Sequence, residues 1–226
     1  MRQLIINILL LVNCIIAWSN NPTDISFLPT FNQEKLQLNH YYKHNENDSI
    51  QITNLKFYIS NIAIYRHHKL IFKESNSYHL IDYTNNTNPT IFIANTFIKK
   101  NSSISFDIGI DSITNVSGAM GGDLDPTKGM YWSWQSGYIN FKLEGNTNLC
   151  PLNNHFFEYH IGGYIAPNSS IQHVDLSGHL NTHNTIEMKL DELCNHINFA
   201  SQNNIMSPSV SAVDMSKLIK HSFSLK

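Results

Sequence analysis

The strongest constraint on the fold is an alternation of apolar and polar residues with a period of two. It is clearest over residues 104–111, where Ile104, Phe106, Ile108 and Ile110 alternate with polar or small residues. Such a period puts every second side chain on the same side of an extended chain, and it therefore predicts a half-buried β-strand. Comparable short segments, separated by polar turns, lie at residues 25–27, 35–41, 55–65, 78–83, 139–144, 156–161 and 186–190.

Together these segments predict an all-β fold, a single antiparallel β-sandwich with a short C-terminal helix. Regular short strands joined by polar turns are typical of that architecture. The alternation slips near Asn61, where a β-bulge is expected. Ser207 and Pro208 fit the start of a helix that continues to about Lys220, because proline is favoured in a first turn. The side chains expected to face inward are Phe106, Ile108, Ile139, Phe141 and Leu143.

Composition excludes some classes of function and indicates export. The 226 residues carry a formal net charge of −2 and only 14% charged side chains, so neither nucleic-acid binding nor a polybasic membrane surface is indicated. Residues 1–19 have the pattern of a secretory signal peptide, with Arg2 before an apolar run at residues 4–12. That run is short for a membrane span. Residues 20–226 are expected to form one domain, in the periplasm or on the cell surface.

The three cysteines offer alternatives that depend on export. A lipoprotein anchor at Cys14 competes with ordinary cleavage of the signal peptide, which is favoured because Asn13 is larger than the residue expected before a lipidated cysteine. Cys150 and Cys194 then remain, and two cysteines in an oxidising compartment suggest one disulfide. A thiolate copper site is the other interpretation, because soft thiolates bind Cu(I).

The most unusual stretch is residues 121–145, which begins as a loop rich in glycine and aspartate and ends as an alternating strand. The loop delivers Met130, Trp132 and Trp134 to the start of that strand. Tryptophans in a β protein usually serve as packing in the core or at its rim. A polarizable thioether and two indoles collected at one place nevertheless favour a functional role for this loop, beyond that of joining two strands.

One string in this stretch is specific enough to suggest a family: GMYWSWQSGY at residues 129–138, followed by KLEG at residues 142–145. It resembles the MbnP-like family of secreted bacterial copper-binding proteins. The resemblance spans most of the chain after the signal peptide. Three weaker blocks support it, at residues 55–62, 106–111 and 157–163.

The resemblance implies a copper site built on a modified tryptophan. In characterised relatives a partner di-haem peroxidase of the MauG/MbnH type oxidises a tryptophan to kynurenine, whose aniline nitrogen binds copper together with histidines. Trp132 and Trp134 both match the aromatic positions of the motif, and the resemblance does not choose between them. Modification is required because an intact indole nitrogen only donates hydrogen bonds. Met130 adds a thioether, which suits Cu(I).

His160 is the histidine that the resemblance places in the site. The chain has 12 histidines, which are scattered. On the predicted strand His160 points away from the apolar face, and Gly162 beside it allows a neighbouring group to come close. A single histidine on a strand is more often structural than a ligand. His40 and His173 are weaker candidates for a second ligand.

Two other interpretations remain open. Asp123 and Asp125 carry oxygens of the kind that calcium accepts, although turn-forming aspartates explain the same loop. The sequence contains neither a nucleophile elbow nor a phosphate-binding loop, so it does not indicate an enzyme. The main alternative to copper binding is a β-sandwich without a metal that binds a protein or a glycan. Exposed aromatic residues motivate it, because such residues are enriched at interfaces. Its exposed platform would be Tyr131, Trp132, Trp134 and Tyr138.

Overall fold

The computed structural model of the protein describes residues 23–93, 102–151, 154–178, 180 and 183–226. The predicted signal peptide at residues 1–19, with Cys14, lies outside the described residues. Strands account for 47% of the structure and helices for 15%. This balance confirms the predicted all-β class.

The described residues form short strands and three short helices. In chain order the strands are β1 (Thr23–Phe31), β2 (Glu34–Lys35), β3 (Tyr41–Lys43), β4 (Ser49–Arg66), β5 (Lys69–Lys73), β6 (Tyr78–Asp82), β7 (Thr90–Ile93), β8 (Ser102–Ile108), β9 (Tyr131–Trp132), β10 (Gly137–Thr147), β11 (Phe156–Gly162), β12 (Gln172–Leu176), β13 (His183–Lys189), β14 (Asn204–Ile205) and β15 (Phe223–Leu225). The helices are α1 (Ser112–Val116), α2 (Leu190–Asn195) and α3 (Val210–His221), and two 3₁₀ turns span Gly122–Leu124 and Pro126–Lys128.

Within this part of the chain the strands form two sheets. The larger has the order β12-β8-β4-β10-β11-β14, with β3, β5 and β6 also paired to β4. The smaller has the order β15-β13-β1-β2, with β7 also paired to β1. Most neighbours are antiparallel, as predicted, but β1 with β13 and β11 with β14 are parallel. Alternation does not reveal these pairs, because it reports the side that a residue faces and not the direction of its partner strand.

The main core lies between the two sheets and confirms the predicted sandwich. Phe27 of β1 meets Phe57 of β4 and Phe106 of β8 edge-on, with ring centroids 5.9 and 6.0 Å apart. Phe223 of β15 meets the same two rings at 5.6 and 5.8 Å. Burying one such ring contributes about 1.5–3 kcal/mol. These aromatic contacts therefore hold the smaller sheet against the larger one.

Among the described strands of the larger sheet there are four register shifts, and two of them concern residues singled out in the sequence. Asn61 has a φ of 53°, and the register between β4 and β8 shifts between Ser60 and Ala63, which confirms the bulge predicted there. A second shift, between Ile139 and Phe141 where β10 pairs with β11, was not predicted. It changes the face on which side chains lie. Ile139 is buried as expected, but in a separate cluster from Phe141, whereas the other four predicted inward residues lie in the main core.

The predicted C-terminal helix is present as α3. It begins at Val210, because the Ser209 hydroxyl caps it by accepting a hydrogen bond from the Ala212 amide at 3.1 Å. The predicted start at Ser207 and Pro208 was therefore slightly early. One face of α3, with Ala212, Met215 and Ile219, is buried in the main core.

Candidate functional site

A second apolar cluster lies on the outer face of the larger sheet, away from the main core. Tyr58 shows the side on which it lies, since its neighbours Phe57 and Ile59 on β4 belong to the main core while Tyr58 does not. The segment between β8 and β10 folds over this face and closes the cluster. Its buried members are Tyr58, Ile110, Leu124, Met130, Trp132, Tyr138 and Ile139.

The loop at residues 121–130 is held against the sheet by hydrogen bonds from strand side chains. Lys142 Nζ donates to the Gly129 carbonyl at 2.5 Å, and Lys56 Nζ donates to the Lys128 carbonyl at 3.4 Å. The Tyr58 hydroxyl donates to the Asp123 carbonyl at 3.0 Å. Burial lowers the pKa of Lys142. These hydrogen bonds therefore anchor the loop to the outer face of the sheet.

Trp132 lies in this cluster and covers Gly162 of β11. A Cβ at position 162 would fall 2.6 Å from Cζ3 of the indole and 2.6 Å from the Tyr138 carbonyl oxygen. The close approach expected at Gly162 is therefore real. Trp132 is only 5% exposed, and its Nε1 is buried with no hydrogen-bond partner among the described residues.

Trp134 and Met130 are placed quite differently from each other. Trp134 sits in the turn between β9 and β10 and is 66% exposed. Its ring lies 5.9 Å from that of Trp132, centroid to centroid, with a tilt of 46°. Met130 is fully buried in the second cluster. Since Trp132 and Tyr138 are buried as well, the four predicted platform aromatics do not form a flat exposed shelf.

His160 lies on the same strand face as Gly162, two residues away, while Tyr159 and Ile161 point into the main core. Its Nε2 lies 2.6 Å from Oε1 of Glu144 on β10. The other carboxylate oxygen of Glu144 accepts a hydrogen bond from Asn54 Nδ2 at 3.0 Å. The hydrogen bond with His160, reinforced by that from Asn54, lowers the pKa of Glu144 to about 2. Glu144 is therefore a carboxylate at neutral pH.

The sequence model of the MbnP family matches residues 20–207, most of the chain. The chain belongs to the MbnP family. Among solved structures, MbnP from Methylosinus trichosporium has a similar fold, with a TM-score of 0.61 and 14% sequence identity over 85% of this chain and 86% of that one. At that identity the likeness concerns the fold. No curated protein matches the chain.

The two weaker histidine candidates of this MbnP-family chain lie apart from the second cluster. His173 Nδ1 lies 2.6 Å from Asp107, and its Nε2 lies 3.3 Å from Asp175. His40 packs edge-on against Tyr42. Among the residues that the structure describes, no group of three or more His, Cys, Asp or Glu side chains is placed to hold a metal ion. No described helix is long and apolar enough to cross a membrane.

The two aspartates predicted as calcium ligands have separate structural partners. Asp123 Oδ1 lies 2.6 Å from Lys128 Nζ, and its Oδ2 accepts from the Leu80 amide at 3.0 Å. Asp125 caps the second 3₁₀ turn by accepting from the Thr127 amide at 2.8 Å and from its hydroxyl at 2.7 Å. These hydrogen bonds lower the pKa of Asp125. Both carboxylates thus shape the loop, as the turn-forming interpretation holds.

The predicted disulfide is absent from the structure, where Cys150 and Cys194 are free and buried. Cys150 Sγ donates a hydrogen bond to the Phe156 carbonyl at 3.1 Å. Cys194 belongs to α2 and packs in the main core. Burial raises the pKa of the Cys194 thiol. Both thiols are therefore buried and unbonded to each other, although both lie near Tyr159.

The sequence did not reveal Glu144 as the partner of His160, nor Asn54 as the second partner of Glu144. Glu144 was part of the family string, but its role depends on the register between β10 and β11, which places Lys142 opposite His160 and Glu144 opposite Glu158. The string contains no signal for that register. The alternation of β10 indicated that Glu144 lies on an outer face, and the alternation of β11 indicated the same for His160.

Proposed function

We propose that this chain is an exported MbnP-family protein that binds copper through His160 and an oxidised Trp132. The observation that carries the proposal is the buried Nε1 of Trp132, which has no hydrogen-bond partner among the described residues. Leaving a buried donor unpaired costs about 1–3 kcal/mol. Such a group calls for an explanation, and a role for this nitrogen after modification provides one.

Oxidation converts Nε1 from a donor into a ligand. The Cγ–Cδ1 bond of the indole breaks, and each of its two carbons becomes a carbonyl carbon, which gives N-formylkynurenine. Two molecules of hydrogen peroxide would supply the two oxygen atoms and leave as two molecules of water, and hydrolysis of the formyl group then releases formate. Nε1 is left as the aniline nitrogen of kynurenine, with a lone pair that an intact indole does not offer. The proposed oxidant is hydrogen peroxide, and the proposed catalyst is the di-haem peroxidase that the family resemblance implies. Neutral nitrogen ligands of this kind suit copper.

The placement of Trp132 supports it as the reactive tryptophan. Its ring covers Gly162, and His160 is the next side chain on that strand face, about 6.5 Å along the chain. Trp134 instead extends from the turn and is 66% exposed. Met130 is buried in the same cluster as Trp132, so its thioether is the third candidate donor. The expected ligand set is therefore His160, modified Trp132 and Met130.

Export rests on the signal-like segment at residues 1–19 together with membership of the family. An exported copper protein would take up, store or transfer the ion, and the present site would protect Cu(I) by burial. The Glu144 carboxylate beside His160 is compatible with a buried Cu(I) site, because it is hydrogen-bonded to both His160 and Asn54.

Copper affinity tests the proposal directly. Protein from the native host, with His160→Ala, Trp132→Phe or Trp134→Phe, is titrated with Cu(I) against a chromophoric chelator. We expect His160→Ala and Trp132→Phe to lose most of the affinity, while the exposed Trp134→Phe retains it. Unchanged affinity in either of the first two variants would contradict the proposed site.

One observation favours a second function, the binding of a protein or glycan. Trp134 and Ile165 are 66% and 67% exposed. Ile165 lines a cavity of about 290 Å³ together with Gln135, Tyr164 and Pro208 among others, and Gln135 follows Trp134 in the chain. Aromatic and apolar side chains exposed in this way are common at binding surfaces. Loss of partner capture in Trp134→Phe, with unchanged copper affinity, would distinguish this function from the first.

A further inference from the structure

We infer that Glu144 is a positioning residue for copper binding, which fixes the proton of His160 on Nε2 and leaves Nδ1 as the ligating nitrogen. The inference rests on the proposed function, because it concerns the histidine proposed to bind the metal. It assigns roles to Glu144 and Asn54, and it specifies which atom of His160 meets copper.

The geometry across three strands carries the inference. Glu144 on β10 reaches diagonally to His160 on β11, with 2.6 Å between Oε1 and Nε2. In the opposite direction its Oε2 accepts from Asn54 Nδ2 on β4 at 3.0 Å. Each carboxylate oxygen is thus engaged by a neighbouring strand. These two hydrogen bonds fix the position of the Glu144 carboxylate, and the carboxylate in turn fixes the orientation of the His160 imidazole.

The chemistry of the two groups decides the tautomer. An ionised carboxylate has only acceptors, so the ring nitrogen that faces it must carry the hydrogen. A neutral His160 is then protonated on Nε2, and the lone pair is on Nδ1. No hydrogen bond joins Nδ1 to another described residue, although the side chain of His160 is only 10% exposed. Nδ1 is the nitrogen left available.

Carboxylate partners of this kind are general among metal-binding histidines. They fix the ring orientation and make the free nitrogen more basic, and removing them typically costs about 10- to 100-fold in metal affinity. In this chain a matched control lies on β11, the strand that carries His160. Glu158 pairs opposite Glu144 and bonds Asn204 Nδ2 at 2.6 Å, without a recorded bond to His160. Its substitution removes the same charge from the same sheet face.

The test compares Glu144→Gln with Glu158→Gln in mature protein from the native host. Nitrogen-15 NMR of the metal-free protein reports the His160 tautomer, and competition with a chromophoric chelator reports Cu(I) affinity. We expect Glu144→Gln to move proton population from Nε2 to Nδ1 and to weaken Cu(I) binding about 10- to 100-fold. Glu158→Gln is expected to change neither quantity. A purely structural role would leave the tautomer unaltered.

A second variant, Asn54→Ala, keeps the test informative if Glu144→Gln fails to fold. Asn54→Ala keeps both His160 and the Glu144 charge but frees one carboxylate oxygen, so it should shift the tautomer and the affinity in the same direction by a smaller amount. His160→Ala separates the two levels of the proposal. If it abolishes binding while Glu144→Gln and Asn54→Ala bind like the unaltered protein, the inference is overturned and the proposed function stands. If His160→Ala binds Cu(I) normally, both are overturned.

Discussion

Trp132 rests on Gly162 so closely that a Cβ at position 162 would lie 2.6 Å from the indole Cζ3. The contact joins the loop between β8 and β10 to the strand that carries His160. It also explains why the residue two places after His160 is a glycine. Because position 162 has no side chain, the tryptophan that the loop delivers packs directly against the strand that carries His160.

Substitution of Gly162 is therefore expected to destabilise the fold and displace Trp132. Gly162→Ala would crowd both the indole and the Tyr138 carbonyl, and overpacking of this kind costs about 1–3 kcal/mol. Urea unfolding measures the cost, and tryptophan fluorescence reports the displacement. Gly121→Ala is the matched control, because a Cβ there meets nothing within 4 Å. Equal stability of the two variants would contradict the close contact.

The pair of Glu144 and His160 should make the metal-free protein lose stability in acid. The folded pKa of Glu144 is about 2, below its ordinary value of 4.5, so the stabilisation is present above pH 4.5 and is lost as the pH falls towards 2. After solvent screening the expected loss is on the order of 2 kcal/mol. Glu144→Gln should flatten this part of the pH profile, measured by urea unfolding, and Glu158→Gln should not. Identical profiles for all three proteins would argue against the pair.

The two cysteines are expected to be present as unreactive thiols. Cys150 and Cys194 are 0% and 1% exposed, and burial raises the pKa of Cys194, so little reactive thiolate is available. A thiol reagent should react with neither residue in native mature protein and with both after denaturation. Detection of no thiols after denaturation without reductant would restore the disulfide that export suggests.

Added calcium is expected to leave the melting temperature unchanged. Asp123 and Asp125 bond to Lys128 and Thr127 and not to a shared centre, and an ion that does not bind the folded state cannot stabilise it. Thermal unfolding in calcium and in a chelator should coincide. A rise in melting temperature that disappears in Asp123→Asn would show that the loop does bind the ion.

Much of the fold follows from local sequence, while the site depends on distant pairings. Alternation predicted the sandwich, and the slip at Asn61 predicted a bulge, because both are visible in one strand at a time. The parallel pair β1 and β13 joins segments from opposite ends of the chain. No local pattern reports that pairing.

The candidate site was predictable in its residue types but not in its contacts. The family string contains Trp132 and Trp134, and the weaker family block at residues 157–163 contains His160. Only the packed loop shows that one tryptophan is buried over Gly162 and the other is exposed. Likewise, the bond between Glu144 and His160 follows from the register of two strands. Burial and register are products of the whole fold, so the sequence alone left the two tryptophans equivalent.

Tandem mass spectrometry of protein purified from its native host tests the central claim most directly. Both tryptophans lie in the single tryptic peptide between Lys128 and Lys142, and fragment ions assign a change to one or the other. We expect kynurenine at Trp132 and an intact indole at Trp134. Two intact indoles, or kynurenine at Trp134 alone, would contradict it.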